Sequence, residues 1–439
     1  MRSLTLLLTG FLLLPGLLSA QDPEGVRLGL LYQSEYQPGL VVLPFAAIGA
    51  DQGAASAVQA IIARDLEHSD RFQLRAVTDA PVQGEPLNLA LWKERGADWV
   101  LEGSLAPGDA GMTLTLVLHD AVYGRVKDQR TIALPPQGET GFRMAVHAAS
   151  DEVVRWATGD PGMAATRIAF ALQGRGSKEI YLVDSDGENV QRVTSDGTLA
   201  LTPTWSADGL RLAYTSYRSG PPVLYERDLR TGQDRVISDR EGINSTPAYS
   251  PDGRLIAFGT SVAGNTEVAT YDRDRNCCLQ QQTHGRQFDS FNPTFSPDGR
   301  QLAFVSDRLG QPHIYVMDLG GDARVVSEYV YGSRAKNDAP DWSPRSNQIV
   351  YQTELSPGNH QLMLADLDKG SRRVLTNQGN NETPSWAPDG RHVVFSSHDR
   401  DGGGLFVLDT VSGQIRPLLR GSGYGLPDWS RTLFRVAPE

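Results

Sequence analysis

The sequence predicts an α+β N-terminal domain followed by an all-β six-bladed β-propeller that a C-terminal strand closes. Three observations carry this expectation: one phrase written six times, three other apolar runs that recur in step with it, and a first third of different texture. The phrase reads TPTWSADG from Thr202, TPAYSPDG from Thr246, NPTFSPDG from Asn292, APDWSPRSN from Ala339, TPSWAPDG from Thr383 and, truncated, LPDWS from Leu426. Its aromatic residues, Trp205, Tyr249, Phe295, Trp342, Trp386 and Trp429, stand 44, 46, 47, 44 and 43 residues apart. A steady period in this range is the mark of a propeller blade.

At the start, Met1-Arg2 precedes an apolar run from Leu4 to Leu18 and the small pair Ser19-Ala20. A charged start, a short apolar core and small residues at the cut read as a secretory signal over 1–20, too short for the roughly 20 residues of a membrane helix. No cysteine lies near Ala20, which argues against a lipid anchor, so the mature chain is expected to be soluble and exported. Loss of Arg2 takes the formal net charge from −11 to −12. An acidic chain without a basic run speaks against nucleic acid as a partner.

The α+β domain is expected over 21–160. LVVLPFAA from Leu40 reads as a buried strand, and Val58, Ile61, Ile62 and Leu66 form one helical stripe. RFQLRAV follows, then LNLALWKERG with a helix stop at Gly96, then DWVLEGSL, MTLTLVLH and KDQRTIAL as strands. A last helix carries Phe142, Val146, Ala149, Val153 and Trp156 at spacings of three or four and stops near Gly159. TGDPGMAA, Thr158 to Ala165, marks the boundary, with the propeller over 163–430 and a tail over 431–439.

Within the propeller each phrase is followed by runs of the RIAF (Arg167), IYLVD (ending at Asp184) and QRVT kinds, rich in β-branched and aromatic residues between Gly, Pro, Asp and Asn. Four such runs per repeat make a four-stranded blade. SPDG supplies the first hairpin turn: Pro presets φ, Asp tolerates the next corner and Gly accepts a positive φ. Where the fifth blade writes SPRSN, Asn347 is the candidate for the left-handed position. The first RIAF has no aromatic phrase before it, and LPDWS has no strands after it. An open ring would leave strand edges unpaired, so Pro427 to Ser430 is expected to pair beside Arg167 to Phe170.

The two cysteines, Cys277 and Cys278, are adjacent. They read foremost as two small residues opening a strand, since a bridge between neighbours restrains almost no chain; a strained vicinal disulfide or intermolecular pairing are the alternatives. Chemistry is weakly represented. A propeller-capped peptidase needs a G-x-S-x-G elbow, and GTSVAG at Gly259 sets its second glycine one residue too far. No H-x-x-x-H pair occurs among the eight histidines, so His68 and His147 read as surface or satisfied residues. DRDRN at Asp272 imitates a calcium loop but lacks its Gly and terminal Glu, and Asp184 and Asp186 lie where turns favour Asp. No catalytic residue, metal or cofactor is expected.

Loops that lead into the six inner strands emerge on one face, and they are polar and unlike one another: DGTLAL, EGINS, RQFDSFN, SRAKNDA, QGNNE and GSGYGL. Such loops suit recognition, and aromatic anchors in a polar setting suit a protein partner.

The secretion signal, VVLPF within a small α+β domain, the helix ending ASDEVVRW (Ala149 to Trp156) and blades of the P-x-W-S-P-D-G type together resemble the TolB family across essentially the whole mature chain. The resemblance implies a non-enzymatic periplasmic scaffold of the Tol-Pal system. Such a scaffold binds the Pal lipoprotein through its propeller and TolA through its mature N-terminus, supports outer-membrane integrity and cell division, and is exploited by colicins; outer-membrane proteins are further candidates. On this basis Asn244, Thr246, Phe291, Asn292, Asn337, Asn381, Glu382 and Tyr424 are the candidate Pal surface. Val26, Leu28, Leu30 and Tyr32 alternate with Arg27, Gly29 and Leu31 in QDPEGVRLGLLY, a period suited to a strand added to a partner's sheet. Val26, Arg27, Leu28, Leu30 and Tyr32 are therefore the candidate TolA contacts; the residues alone favour a strand paired within its own domain, and both hold if it docks at home in one state and is released in another. The rival reading is a periplasmic propeller that binds a small ligand or has hydrolase or lyase activity.

Overall fold

The computed structural model describes residues 36–77, 87–109, 111–139, 141–262, 264–285, 287–327, 335–399 and 402–434. The signal over 1–20 and the strand at Val26 to Tyr32 lie outside them.

The N-terminal domain sets one sheet against two helices. Its strands are β1 (Gly39–Val42), β2 (Ala46–Ala47), β3 (Gln73–Leu74), β4 (Trp99–Gly108), β5 (Gly111–Asp120) and β6 (Arg125–Leu134). They run in the order β3-β1-β4-β5-β6, with β2 beside β4; β1 is parallel to both its neighbours and β4 to β6 form an antiparallel meander. Helix α1 (Gln52–His68) begins at Asp51, whose carboxylate accepts the Ala54 N–H at 2.9 Å, the usual service of an N-cap. The short helix α2 (Leu89–Glu94) packs its Trp92 with Val41 of β1 and Val100 of β4, and α3 (Phe142–Thr158) ends at Gly159, φ 81°, where the sequence places its stop. The stripes read from the sequence, Val58, Ile61, Ile62 and Leu66 on α1 and Phe142, Val146, Ala149, Val153 and Trp156 on α3, meet Leu101, Leu114 and Leu116 of the sheet in one core.

Halfway along α3 the buried Asp151 accepts the N–H groups of Ala164 at 2.8 Å and Ala165 at 2.9 Å. The helix thereby grips the connection to the propeller. Burial pushes this carboxyl up to about 7, against the pull of those two bonds.

Six four-stranded antiparallel sheets follow. Blade 1 places Tyr424–Trp429 innermost, then Arg167–Gln173, Lys178–Asp184 and Gln191–Arg192; blades 2 to 6 occupy 200–238, 244–281, 290–325, 336–374 and 380–420. The clasp pairs Trp429 with Ile168 and Asp428 with Ala169, and the Trp429 indole N–H donates to Thr166 Oγ1 at 2.7 Å. Apolar side chains pack between blades: Ala213 and Leu224 of blade 2 share a cluster with Tyr249, Ile256 and Phe258 of blade 3. Each blade thus needs its neighbour to bury its faces.

The S-x-D-G turn owes more to its serine than the sequence suggests. Ser250 Oγ donates to Asp252 Oδ1 at 2.5 Å and accepts the Leu255 N–H at 2.8 Å, and Ser206 and Ser296 do the same in blades 2 and 4. The expectation for Asn347 fails. It is absent from the residues with positive φ, and its amide instead donates to Asp368 at 2.8 Å, so a side-chain bond fixes that turn in place of a left-handed corner.

The cysteines also depart from the favoured reading. Cys277 and Cys278 are bonded to each other where blade 3 turns into its outer strand. With Cys278 at φ 66°, the two side chains fall on the same side of the chain instead of alternating.

The N-terminal domain meets the propeller over blades 6 and 1 in a seam of charge. Asp186 accepts from Arg64 and Arg143 and lies 3.8 Å from His147, whose other ring nitrogen meets Asp65 at 2.8 Å. His392, fully buried, joins Asp389 at 2.6 Å and Asp70 at 3.0 Å, and Arg391 donates to the Asp70 carbonyl. Burial opposes the charge on His392, but the Asp389 carboxylate, then Asp70, hold it up at about 9. His68 and His147 are therefore seam residues and not surface ones, and Asp186 does more than shape a turn.

Candidate functional site: the open mouth of the propeller

The face opposite the seam carries the loops into the inner strands. Each inner strand is interrupted at one place, where the residue before proline takes a left-handed backbone: Thr202, Thr246, Asn292, Ala339, Thr383 and Leu426, with φ between 48° and 53°. The pairing register shifts at each of these points, as between Ser245 and Ala248 or Phe291 and Thr294. A non-glycine residue seldom adopts φ > 0, and threonine less than most, so six repetitions mark a feature the ring enforces. The bulges line a central cavity of ≈ 340 Å³ together with the prolines that follow them.

Hydrogen bonds lace the ring from blade to blade. Thr246 Oγ1 accepts the Asn292 N–H at 3.3 Å, and Asn292 Nδ2 donates to Asp338 at 2.6 Å. Deeper, Asp428 accepts the Trp205 N–H at 2.7 Å, Asp341 the Trp386 N–H at 2.7 Å, and Ser385 the Trp429 N–H at 3.1 Å. Thr294, Asp341, Ser385 and Asp428, each between the proline and the aromatic of its phrase, are thus stitches between blades, a role that strand patterning does not reveal, while Ala248 of blade 3 has no side chain for it. Burial and the charge of Asp341 raise the Asp428 carboxyl to about 7. On the seam side Arg431 pairs with Asp341 at 2.6 Å and closes the cavity, so the start of the tail belongs to the ring.

The eight candidate Pal residues divide. Asn244, Asn337 and Asn381 are buried and spend their amides inside the protein: Asn244 on the Arg240 carbonyl at 2.7 Å, Asn337 on His313 at 3.0 Å, Asn381 on the Gln378 carbonyl at 2.7 Å. These asparagines shape the loops from below. Thr246, Phe291, Asn292, Glu382 and Tyr424 are half-buried on the mouth, Glu382 beside His360 at 3.0 Å and Tyr424 packed 5.6 Å from Phe170. Sequence reading missed the apolar rim around them: Leu199, Ile243, Val262, Leu309 and Leu355 are 36 to 56% exposed, the first four in loops or turns of this face and Leu355 near the end of the strand Gln348–Ser356. Single apolar residues in polar loops carry no periodicity, so only their convergence in space reveals them. Arg308 adds a cation over the Phe288, Phe304 and Tyr315 rings at 4.6 to 5.5 Å.

Asp65, His147 and Asp186 offer ligand atoms within 4.8 Å of one another, a spacing that could hold a metal. The Asp186 oxygen in that set already receives Arg64 and Arg143, so the group reads as an ion-pair network. Among the described residues no helix is long and apolar enough to cross a membrane.

The fold and its mouth define a six-bladed propeller protein with an appended α+β domain. Residues 154–433 match the TolB beta propeller domain and residues 33–126 the TolB amino-terminal domain, and the chain belongs to the TolB family. It is 36% identical over 177 residues to the Tol-Pal system protein TolB of Desulfosudis oleivorans, covering 40% of each chain. To the protein of the same name from Anaeromyxobacter dehalogenans strain 2CP-1 it is 32% identical over 264 residues, 58% of this chain and 59% of that one. The chain thus spans about half the length of the curated relatives it matches. The crystal structure of TolB from Acinetobacter baumannii superposes with a TM-score of 0.78 at 25% identity, over 92% of this chain and 98% of that one.

Proposed function

We propose that the chain is a non-enzymatic periplasmic scaffold of the Tol-Pal system whose propeller mouth binds Pal and whose mature N-terminus binds TolA, in support of outer-membrane integrity and cell division. The observation that carries the first half is the apolar rim, Leu199, Ile243, Val262, Leu309 and Leu355, around the half-buried Phe291 and Tyr424. Exposed apolar residues gathered on one face and set in polar loops are what a protein partner covers. The second half rests on the alternation in residues 26–32 and on membership of the family. Titrating purified Pal against the mature protein tests the mouth: a single saturable site weakened by Leu355→Asp or Val262→Asp is expected, and unchanged binding in both would move the site elsewhere. Deleting 21–32 should abolish TolA binding while Pal binding persists.

A further inference from the structure

The seam holds an excess of buried hydrogen-bond donors. Arg64 and His68 stand one turn apart on α1; Arg64 reaches Asp186 and Glu188 in the blade 1 turn, which packs at Gly187 against Leu418 of the outer strand Ile415–Arg420 of blade 6, and Arg416 of that strand bears on His68 by its charge. All three guanidinium nitrogens of Arg416 are buried with no protein acceptor, as are Arg64 Nε and His68 Nδ1. A guanidinium withdrawn from water without an acceptor is strongly unfavourable. The carboxylates nearby are engaged elsewhere: Asp65 with His147 and Ser150, Asp186 with Arg64 and Arg143, Asp70 and Asp389 with His392. The carboxylate of Glu188 is likewise taken up by Arg64 at 3.5 Å, so among these groups Arg416 is the cation left without a partner. The pairs Arg391–Asp409 and Arg167–Asp184 at the edge are neutral in themselves.

We propose that Arg416, His68 and Arg64 form a binding site at the domain seam for a small inorganic oxyanion of the phosphate class. A tetrahedral oxyanion presents acceptors in the geometry of the guanidinium fork, and one such anion gives the unpaired Arg416 guanidinium its acceptors and counter-charge. Burial, then the charges of Arg416 and Arg64, hold His68 down at about 3, so its ring is neutral at the seam and adds a donor without adding charge. Because the site draws on both domains, the bound anion ties α1 to blade 6. Its binding therefore adds to the stability of the assembled protein by mass action. The proposal is independent of what the mouth binds.

The mature protein titrated with sodium phosphate, against sodium chloride of equal ionic strength, tests it. A saturable rise in Tm and broadening of the phosphate ³¹P resonance are expected for the unmodified protein and for Lys336→Met, which changes a cation at the mouth. Arg416→Met should weaken phosphate binding tenfold or more, and His68→Gln, which keeps a donor, should weaken it less. No response beyond that of chloride, or an equal response in Arg416→Met, would overturn the site. Should Arg416→Met not fold, crystals of the unmodified protein soaked in tungstate decide: density against Arg416 supports the proposal, and an empty seam or density elsewhere rejects it.

Discussion

The two faces of the propeller are made from the two ends of the same strands, yet they follow opposite rules. On the seam side three of the six inner turns, in blades 2 to 4, are copies, S-x-D-G with one serine hydroxyl bridging aspartate and backbone, blade 6 keeps the D-G, and buried ion pairs hold the N-terminal domain over blades 6 and 1. On the open side the loops differ from blade to blade and expose Leu199, Ile243, Val262, Leu309 and Leu355. A turn that must close a hairpin tolerates few residues, whereas a loop that meets a partner is shaped by that partner. Repetition thus marks the structural face and its absence the recognition face.

The sharpest way to break the comparison is to open the ring that joins the faces. Deleting the chain from Leu426 removes the strand paired with Arg167–Gln173 and the buried Trp429. Because apolar clusters lie between blades, the loss should spread around the ring and cost on the order of the 5–15 kcal/mol that holds a domain folded. Calorimetry should find no cooperative transition near that of the intact protein; an unchanged Tm would reject the clasp.

His392→Leu attacks the seam alone. Removing one partner of a buried ion pair costs about 3–5 kcal/mol, here by leaving Asp389 and Asp70 without their cation. The pH dependence has a definite sign. His392 is held at about 9 against an ordinary 6.5, so its contribution is complete below pH 6.5 and is lost as pH rises through 9. Asp151, raised to about 7, also favours the folded state at low pH, and its contribution declines between pH 4 and 7. Denaturant titrations at pH 6, 7 and 9.5 should show the intact protein losing stability over that interval, with the loss above pH 7 smaller in His392→Leu; the remainder belongs to His147, raised against the effect of burial by Asp65 and then Asp186.

At the mouth the same size of side chain should matter for binding more than for folding. Phe291→Ala and Tyr424→Ala are expected to weaken Pal binding by about 2 kcal/mol each if they are anchors. Both side chains also touch neighbouring apolar clusters, so circular dichroism must find the variants folded before the affinity is compared. Equal affinity in both would leave the recognition to the apolar rim.

The propeller was legible because each blade repeats four strands whose period the chain length cannot hide, and the truncated LPDWS announced its own closure. The α1 and α3 stripes were legible for the same reason, since periodicity follows from which side faces a core. The seam was not. Asp70, Asp186, His392 and Arg416 come from four separate turns or strand ends, and nothing in their local sequence separates them from solvated turn residues. Nor were the internal bonds of three asparagines legible: in a polar loop asparagine looks available, yet carbonyls of the same loops take donors of Asn244 and Asn381, and Asn337 spends its amide on His313.

The smallest effect is expected at the cysteines, and it tells whether the seam side matters everywhere or only beneath the N-terminal domain. Cys277 and Cys278 lie on that side of the ring, at the turn into the outer strand of blade 3, away from blades 6 and 1. Their bond joins adjacent residues, so it closes almost no loop and restrains the unfolded chain very little. Cys278 is exposed and Cys277 half-exposed, so neither side chain fills a core. Replacing both by serine should change stability by no more than about 0.5 kcal/mol, the range of ordinary surface substitutions. The same change should leave Pal binding unaltered, because the mouth is at the other end of the strands. A loss of several degrees in Tm would mean that this rim is itself part of what holds the ring, and the division between a fixed seam and a tolerant remainder would fall.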